Sequence, residues 1–349
     1  MSTFFNSVHI TNFKSLKDVT LSDCRRINLL IGKPNVGKSN ILEALGLFDV
    51  GYSKFIKNKK LTQFIRFENT PELFFDGNTS EPITIAINDD DDKPSCRVDY
   101  QSTSYKQFED TIPLFDKQLV ISLVDINKAD FVFTVNNEFD INIDVFKDAA
   151  FYDVKQYKFT HNIVFEKLNI PCLIPPFGGN LLSVIQENKK LKKELSGIFS
   201  TYGLKLVFDM GSHSIKLMKE KIEDEIFLLP FSSIADTLQR IIFYKSAIAS
   251  NKNAILLFEE PEAHCFPPYI SHITQEIINS ESNQFFIATH SPYILNDFLE
   301  YERDDVAIFM IDFKDGQTVL KRLTDTELNN VYEYGLDLFF NAELFTDEI

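Results

Sequence analysis

The sequence has no tryptophan and only four cysteines, Cys24, Cys96, Cys172 and Cys265. These are scattered without CxxC spacing, which argues against a zinc knuckle or a disulfide framework and fits a reducing cytosol. Basic charge is also short: 35 Lys and Arg against 51 Asp and Glu leave a formal net charge of -16 and a pI near 4.9. A protein that simply coats nucleic acid needs clustered cations, so that class is disfavoured while a local basic face stays open. No apolar run approaches the roughly 18 residues that cross a bilayer, and no basic stretch with an apolar core opens the chain. The expectation is a soluble, cytoplasmic chain with no membrane partner. There are no internal repeats or low-complexity tracts. What is abundant is apolar: 44% of 349 residues are hydrophobic, enough for a real core and about two domains of average size.

Gly32 to Ser39 is a full GxxxxGKS phosphate-binding loop. Its backbone N–H groups can turn inward around phosphate oxygens, Lys38 can reach the β- and γ-phosphates, and the Ser39 hydroxyl can sit on Mg²⁺. The apolar run Ile27 to Ile31 predicts a buried parallel strand before the loop. Ser39 to Phe48 has helical spacing after it, which places phosphates at a helix N-terminus. Gly32, Lys33, Pro34, Asn35, Val36, Gly37, Lys38, Ser39 and Asn40 are therefore the candidate nucleotide-binding residues.

Along the chain, Val8 to Phe13 and Val19 to Leu21 read as strands, and Gln63 to Phe67 as a strand returning toward the nucleotide. From Pro82 to about Phe146 the pattern alternates as β-rich segments, including Ile83 to Ile87, Leu119 to Val124 and Phe131 to Val135. The acidic run Asp89 to Asp92 lacks the glycine and terminal glutamate of a Ca²⁺ loop and reads as a solvated turn. Pro171 to Gly179 reads as a linker or hinge, and Asn180 to Phe199 as one helix bearing Lys189, Lys190, Lys192 and Lys193. That cluster suits an exposed helix face, with a nucleic-acid or acidic partner as the alternative. Strands at Leu204 to Phe208, Ile215 to Lys219 and Ile226 to Leu229 follow. Alternating helices and strands resume from Ile234, so the nucleotide fold begins and ends the chain with an insertion between.

The strand Ala254 to Phe258 runs into Glu259 and Glu260. Adjacent side chains leaving a strand point in different directions. Glu259 is assigned to Mg²⁺ and Glu260 to the general base that polarises the attacking water. His290 ends the next strand, at the rim where open α/β sheets bind ligands, and is a candidate sensor of the γ-phosphate. Lys38, Glu260 and His290 are the candidate catalytic residues, with Ser39 and Glu259 as candidate metal ligands. His264, His272 and Cys265 lack zinc spacing.

Ile10 to Lys14, the loop, Phe177 to Leu181, Glu259 to Glu262 and Thr289 to Pro292 occur in an order that resembles ABC-type ATPases of the RecF, SMC and OLD group. Within that group the chain looks most like small AAA-type ATPases of bacterial defence loci. The resemblance covers 4–49 and 177–300 well and the β-rich middle poorly. It implies an α/β, ABC-type P-loop NTPase head with a central parallel or mixed sheet and a β-rich plus helical insertion. Its parts would be 1–80 and 231–349 for the head, 81–175 for the β-rich insertion, and 176–230 for a helical and hairpin segment. It also implies two heads sandwiching ATP with Mg²⁺ in a homodimer or higher homo-oligomer, each nucleotide completed by a signature segment from the other copy. Here that segment is Ser232 to Arg240. Asp236 stands roughly where the family has glycine, and Ser232, Ser233 and Thr237 are the candidates to reach the opposite phosphate. Gln63 is a candidate for the family's Q-loop glutamine. The stretch after His290 has no room for the TOPRIM nuclease of OLD proteins. A slow ATPase switch that controls a separate effector in antiviral defence is thus expected. A RecF-like DNA-binding ATPase and a slow ATP-binding module are the alternatives.

Overall fold

The computed structural model describes residues 4–88, 95–103, 116–124, 130–143, 153–220 and 226–346; the acidic run at 89–92 lies outside the described residues. In chain order the strands begin with β1 (Val8–Phe13), β2 (Leu16–Leu21) and β3 (Ile27–Gly32), followed by helix α1 (Lys38–Leu45). Then come β4 (Ile83–Ile87), β5 (Cys96–Thr103), β6 (Asp116–Val124), β7 (Asp130–Val135), β8 (Ile141–Ile143) and β9 (Val154–Tyr157). Helices α2 (Leu181–Glu187) and α3 (Lys189–Ser200) lead to β10 (Lys205–Asp209), β11 (Ser214–Glu220) and β12 (Ile226–Pro230). The remainder alternates as α4 (Asp236–Ala249), β13 (Ile255–Glu259), α5 (Pro267–Ile278), β14 (Gln284–Ala288), α6 (Pro292–Tyr301) and β15 (Val306–Lys314). It closes with β16 (Gln317–Arg322), α7 (Asp325–Tyr334) and α8 (Ala342–Thr346).

These strands form three sheets. A six-stranded sheet runs β16-β15-β3-β14-β13-β9, parallel throughout except for the β15–β16 pair. A seven-stranded sheet runs β2-β1-β4-β5-β6-β7-β8 and is antiparallel. The third is the antiparallel triplet β10-β11-β12. The architecture is mixed α/β, with a mainly parallel central sheet, as the resemblance to a P-loop head implies.

Strand β3 is buried along its whole length because both neighbours are parallel strands and both faces are covered. Ile27, Leu29 and Ile31 face one core, built with α4, α5 and α6, while Leu30 faces a second core shared with α1 and the antiparallel sheet. The buried Asn28 is compatible with that position because its amide donates to the carbonyls of Arg25 (2.7 Å) and Phe285 (3.0 Å).

Several expectations are corrected. The stretch Gln63 to Phe67 is not a strand: a 3₁₀ turn at Leu61–Gln63 leads into irregular chain. The helix expected over Asn180 to Phe199 is two helices. They break at Asn188, whose extended backbone lets its side chain accept the Leu191 N–H and cap α3. Strand β9 falls within the stretch that composition groups with the β-rich insertion, yet it pairs with β13 in the nucleotide sheet. Conversely, β1 and β2 leave that sheet for the antiparallel one.

Candidate functional site

The C-terminal ends of β3, β14 and β13 meet at one rim, in register through Leu30, Ala288 and Glu259. The phosphate-binding loop connects β3 to α1 there. Its turn requires glycine at Gly37, which has φ 104° and caps α1 from the left-handed region. Behind it, Thr318 Oγ1 donates to the Val36 carbonyl (2.9 Å) and shares a hydrogen bond with Ser15 Oγ (2.6 Å), which also accepts from Asn40 (2.7 Å). A methyl at Gly37 would meet Thr318 Oγ1 at 2.0 Å. Gly37→Ala is therefore expected to cost about 1–3 kcal/mol, read as a lowered thermal midpoint together with weakened nucleotide binding. An unchanged midpoint would show that the turn can relax away from Thr318.

Within the loop, Lys38 folds back so that its ammonium donates to the carbonyls of Gly32 (2.8 Å) and Lys33 (2.6 Å). Burial pushes its pKa down to about 8, against the opposing pull of Glu260 and Glu259. A pocket of about 450 Å³ opens over it, walled by Pro34, Asn35, Gly37, Lys38, Ser39 and Asn40 on the loop side and by Arg66, Glu259, Glu260, Ala288 and His290 opposite. Gly32 and Val36 lie behind this wall, and Lys33 turns out to Glu343 (2.7 Å).

The two acids do diverge. Glu259 accepts from Ser39 Oγ and from Arg66 Nη2 (3.0 Å) on the same oxygen, Oε1. Glu260 has φ 43°, and its Oε1 lies 3.5 Å from His290 Nε2. His290 is shifted below the usual imidazole pKa by burial and by Lys38, with Glu260 opposing. Its backbone is set by Glu262, whose Oε1 accepts from Thr289 Oγ1 (2.5 Å) and His290 N–H (3.1 Å). A hydroxyl and a carboxylate side by side are a hard-oxygen donor set, so Ser39 and Glu259 fit Mg²⁺, which would compete with the Arg66 guanidinium for the Glu259 carboxylate.

Three residues of this arrangement carried no role in the sequence reading. Glu43, one turn beyond Ser39 on α1, is fully buried, and it accepts from Lys14 Nζ and from Arg66 Nε (2.7 Å). Lys14 also donates to the Arg66 carbonyl (2.6 Å), so the trio fixes Arg66 over Glu259. A lone acid among Ile41, Leu42, Ala44 and Leu45 is the pattern that could have pointed to a buried ion cluster.

The signature candidates are not brought to this pocket within one copy. Ser233 is exposed in a turn before α4, Asp236 pairs with Arg240 (3.1 Å) and His161 (3.2 Å), and Thr237 Oγ1 donates to the His264 carbonyl (3.1 Å). Gln63 lines a different cleft.

Fold and rim together define a P-loop head of the ABC type, similar in fold to SMC heads and, over a short stretch, in sequence to RecF. Residues 7–227 match the family described as AAA domain, more than half of the chain, and the chain belongs to that family; residues 234–295 match AAA ATPase domain. An ATP/GTP phosphatase of Helicobacter pylori is 23% identical over 328 residues, covering 82% of this chain and 85% of that one. The DNA replication and repair protein RecF of Caldanaerobacter subterraneus subsp. tengcongensis is 32% identical over 72 residues, 21% of this chain. That stretch spans only 19% of RecF. Among solved structures, an Smc head bound to the C-winged helix domain of ScpA superposes with a TM-score of 0.50 at 14% identity, covering 93% of this chain and 99% of that chain. No helix among the described residues is long and apolar enough to cross a membrane.

Proposed function

We propose that the chain binds Mg²⁺–ATP in the loop pocket and hydrolyses it slowly to ADP and phosphate. The observation that carries this reading is the convergence of Lys38, Ser39, Glu259, Glu260 and His290 on one pocket. The loop N–H groups and Lys38 hold the triphosphate. Ser39 and Glu259 would hold Mg²⁺, which supplies charge neutralisation on the phosphates when bound. Glu260 orients the attacking water and takes its proton. His290, held against Glu260, contacts the terminal phosphate or that water. The similarity to an ATP/GTP phosphatase over most of both chains supports hydrolysis.

We further propose that a second copy supplies Ser233, Asp236 and Thr237, so that ATP closes a homodimer and hydrolysis opens it. The exposure of Ser232 and Ser233, away from the chain's own pocket, supports this arrangement. On this reading the output passes to a separate effector, in antiviral defence. A RecF-like role on DNA is the second reading: it rests on the four lysines of α3, Lys189, Lys190, Lys192 and Lys193, all exposed, and on the stretch shared with RecF. DNA affinity that falls steeply with salt, and that is lost on reversing those charges, would favour it over the switch.

Titration of Lys38 tests the pocket. Lys38→Ala removes a charge-assisted hydrogen bond of about 1.5–3 kcal/mol and should weaken ATP binding about 10- to 100-fold. In the wild type the free ammonium titrates at about 8. Below that value it already carries its proton and binding is level; above it the phosphates must recruit one. Calorimetric affinity for ATP should then fall about tenfold per pH unit above 8. A flat profile between pH 8 and 10 would show that Lys38 keeps its proton across that range, and unchanged ATP affinity in Lys38→Ala would remove it from the phosphates.

A further inference from the structure

A second cavity lies outside this site, in a cleft of about 400 Å³ between the chain at 55–63, the chain at 160–168 that follows β9, and 174–179. Its last wall is the Phe177–Leu181 motif, to which ATP chemistry gives no role. Asn180, fully buried, knots that wall by accepting from Ile174 N–H (2.8 Å) and donating to the carbonyls of Cys172 (2.9 Å) and Ile170 (3.2 Å). Gly178 has φ 68°, and a Cβ there would meet the Phe243 ring at 2.9 Å, so the wall needs glycine for its shape. The volume falls in the range of small-molecule sites, about 300–1,000 Å³.

The lining defines the ligand chemistry. Phe55, Ile56, Ile163 and Phe177 supply apolar surface. Asn58, Gln63, Thr160 and Asn162 supply amide and hydroxyl groups, and no side-chain hydrogen bond occupies these four among the described residues. The two charged linings, Lys57 and Glu166, face each other at 3.6 Å and cancel. Apolar walls, uncharged donors and acceptors, and no net charge suit a neutral, flat heterocycle that shows a hydrogen-bonding edge, rather than a phosphate, a carboxylate or an amine.

The cleft also touches the ATPase pocket mechanically. Gln63 lines it, Phe64 offers its carbonyl to Lys158 Nζ at the end of β9, and Arg66 reaches Glu259. A ligand that fixes Gln63 fixes this short segment and holds Arg66 on the carboxylate proposed for the metal. We propose that the cleft is a regulatory site for a small neutral heterocycle, whose occupancy opposes Mg²⁺–ATP binding through the 63–66 segment.

The test uses benzimidazole as probe on the full chain, with benzoate and benzylamine as charged controls, followed by saturation-transfer NMR. Gly179→Leu fills the cleft: a Cβ at 179 makes only ordinary contacts, 3.5 Å to Glu166 Cγ and 3.7 Å to the Val164 carbonyl, so the wall need not shift. Thr160→Val with Asn162→Leu removes only surface hydrogen-bonding groups and guards against misfolding of the first variant. Benzimidazole should bind at about millimolar affinity or tighter. Binding should be lost in Gly179→Leu and weaken about 5- to 10-fold in the double variant. Equal binding of the charged controls, or benzimidazole binding that neither variant changes, overturns the site. The coupling rests on the proposed ATP site. Saturating benzimidazole should weaken Mg²⁺–ATP binding about fivefold, and Arg66→Lys should remove that effect. An unchanged ATP affinity overturns the coupling. A chain that binds benzimidazole in the cleft but no ATP overturns the proposed ATPase and leaves the cleft standing.

Discussion

Glu260→Gln should lower phosphate release about 10²- to 10⁴-fold, the range expected when a general base is removed, while ATP still binds. The separation follows from geometry. Glu259 is committed to Ser39 Oγ and Arg66, so it sits on the side of the pocket proposed for the metal. Glu260 is turned away by its positive φ, half exposed, with His290 Nε2 as its neighbour at 3.5 Å. An amide in its place keeps the volume and loses the proton acceptor, so the triphosphate is held but not cleaved. If two copies sandwich the nucleotide, the same variant should form a dimer only with ATP, visible by light scattering. Wild-type turnover in Glu260→Gln would place the base elsewhere. A trapped nucleotide on a monomer would instead retain the hydrolytic reading and remove the second copy from it.

The loop was legible in sequence because its glycines and Lys38 answer to local geometry, and the acid pair because it ends an uninterrupted apolar strand. The apolar run Ile27 to Ile31, predicted as a buried strand, is β3 at Ile27–Gly32, since both faces are buried and the run is unbroken. What sequence did not reveal depends on partners far along the chain. Nothing local distinguishes β1 from a strand of the parallel sheet; its place is set by pairing with β4, more than 70 residues away. Strand β9, only Val154–Tyr157, is too short to show a period, yet all four residues are buried against β13 and the helical layer. Arg66 was hidden for the same reason. Its partners Glu43 and Glu259 come from separate elements, and the irregular chain that carries it has an apolar composition that imitates a strand.

That ion cluster also gives the largest expected stability effect. Glu43 is fully buried on α1 and accepts from Lys14 Nζ, from Arg66 Nε at 2.7 Å and from the Arg66 N–H at 3.3 Å. Removing one partner of a buried ion pair costs about 3–5 kcal/mol because the remaining charge is stranded. Arg66 is 60% exposed and can return to water, whereas Lys14 is 13% exposed and cannot do so freely. Solvent screening therefore places the expected loss for Glu43→Ala near the low end, about 3 kcal/mol. Urea unfolding should show it as a lower midpoint with an unchanged slope. Glu43→Gln keeps the volume and can still accept one hydrogen bond, so it should lose about half as much. The pair separates stability from function: both variants remove the Glu43 charge that pairs with Arg66 but differ in stability, so a metal-dependence change of equal size in Gln and Ala would belong to Arg66, not to a weakened fold. Equal midpoints for wild type and Glu43→Ala would mean that Lys14 and Arg66 reach water in the absence of Glu43, and that the cluster holds the loop helix in place less firmly than its burial implies.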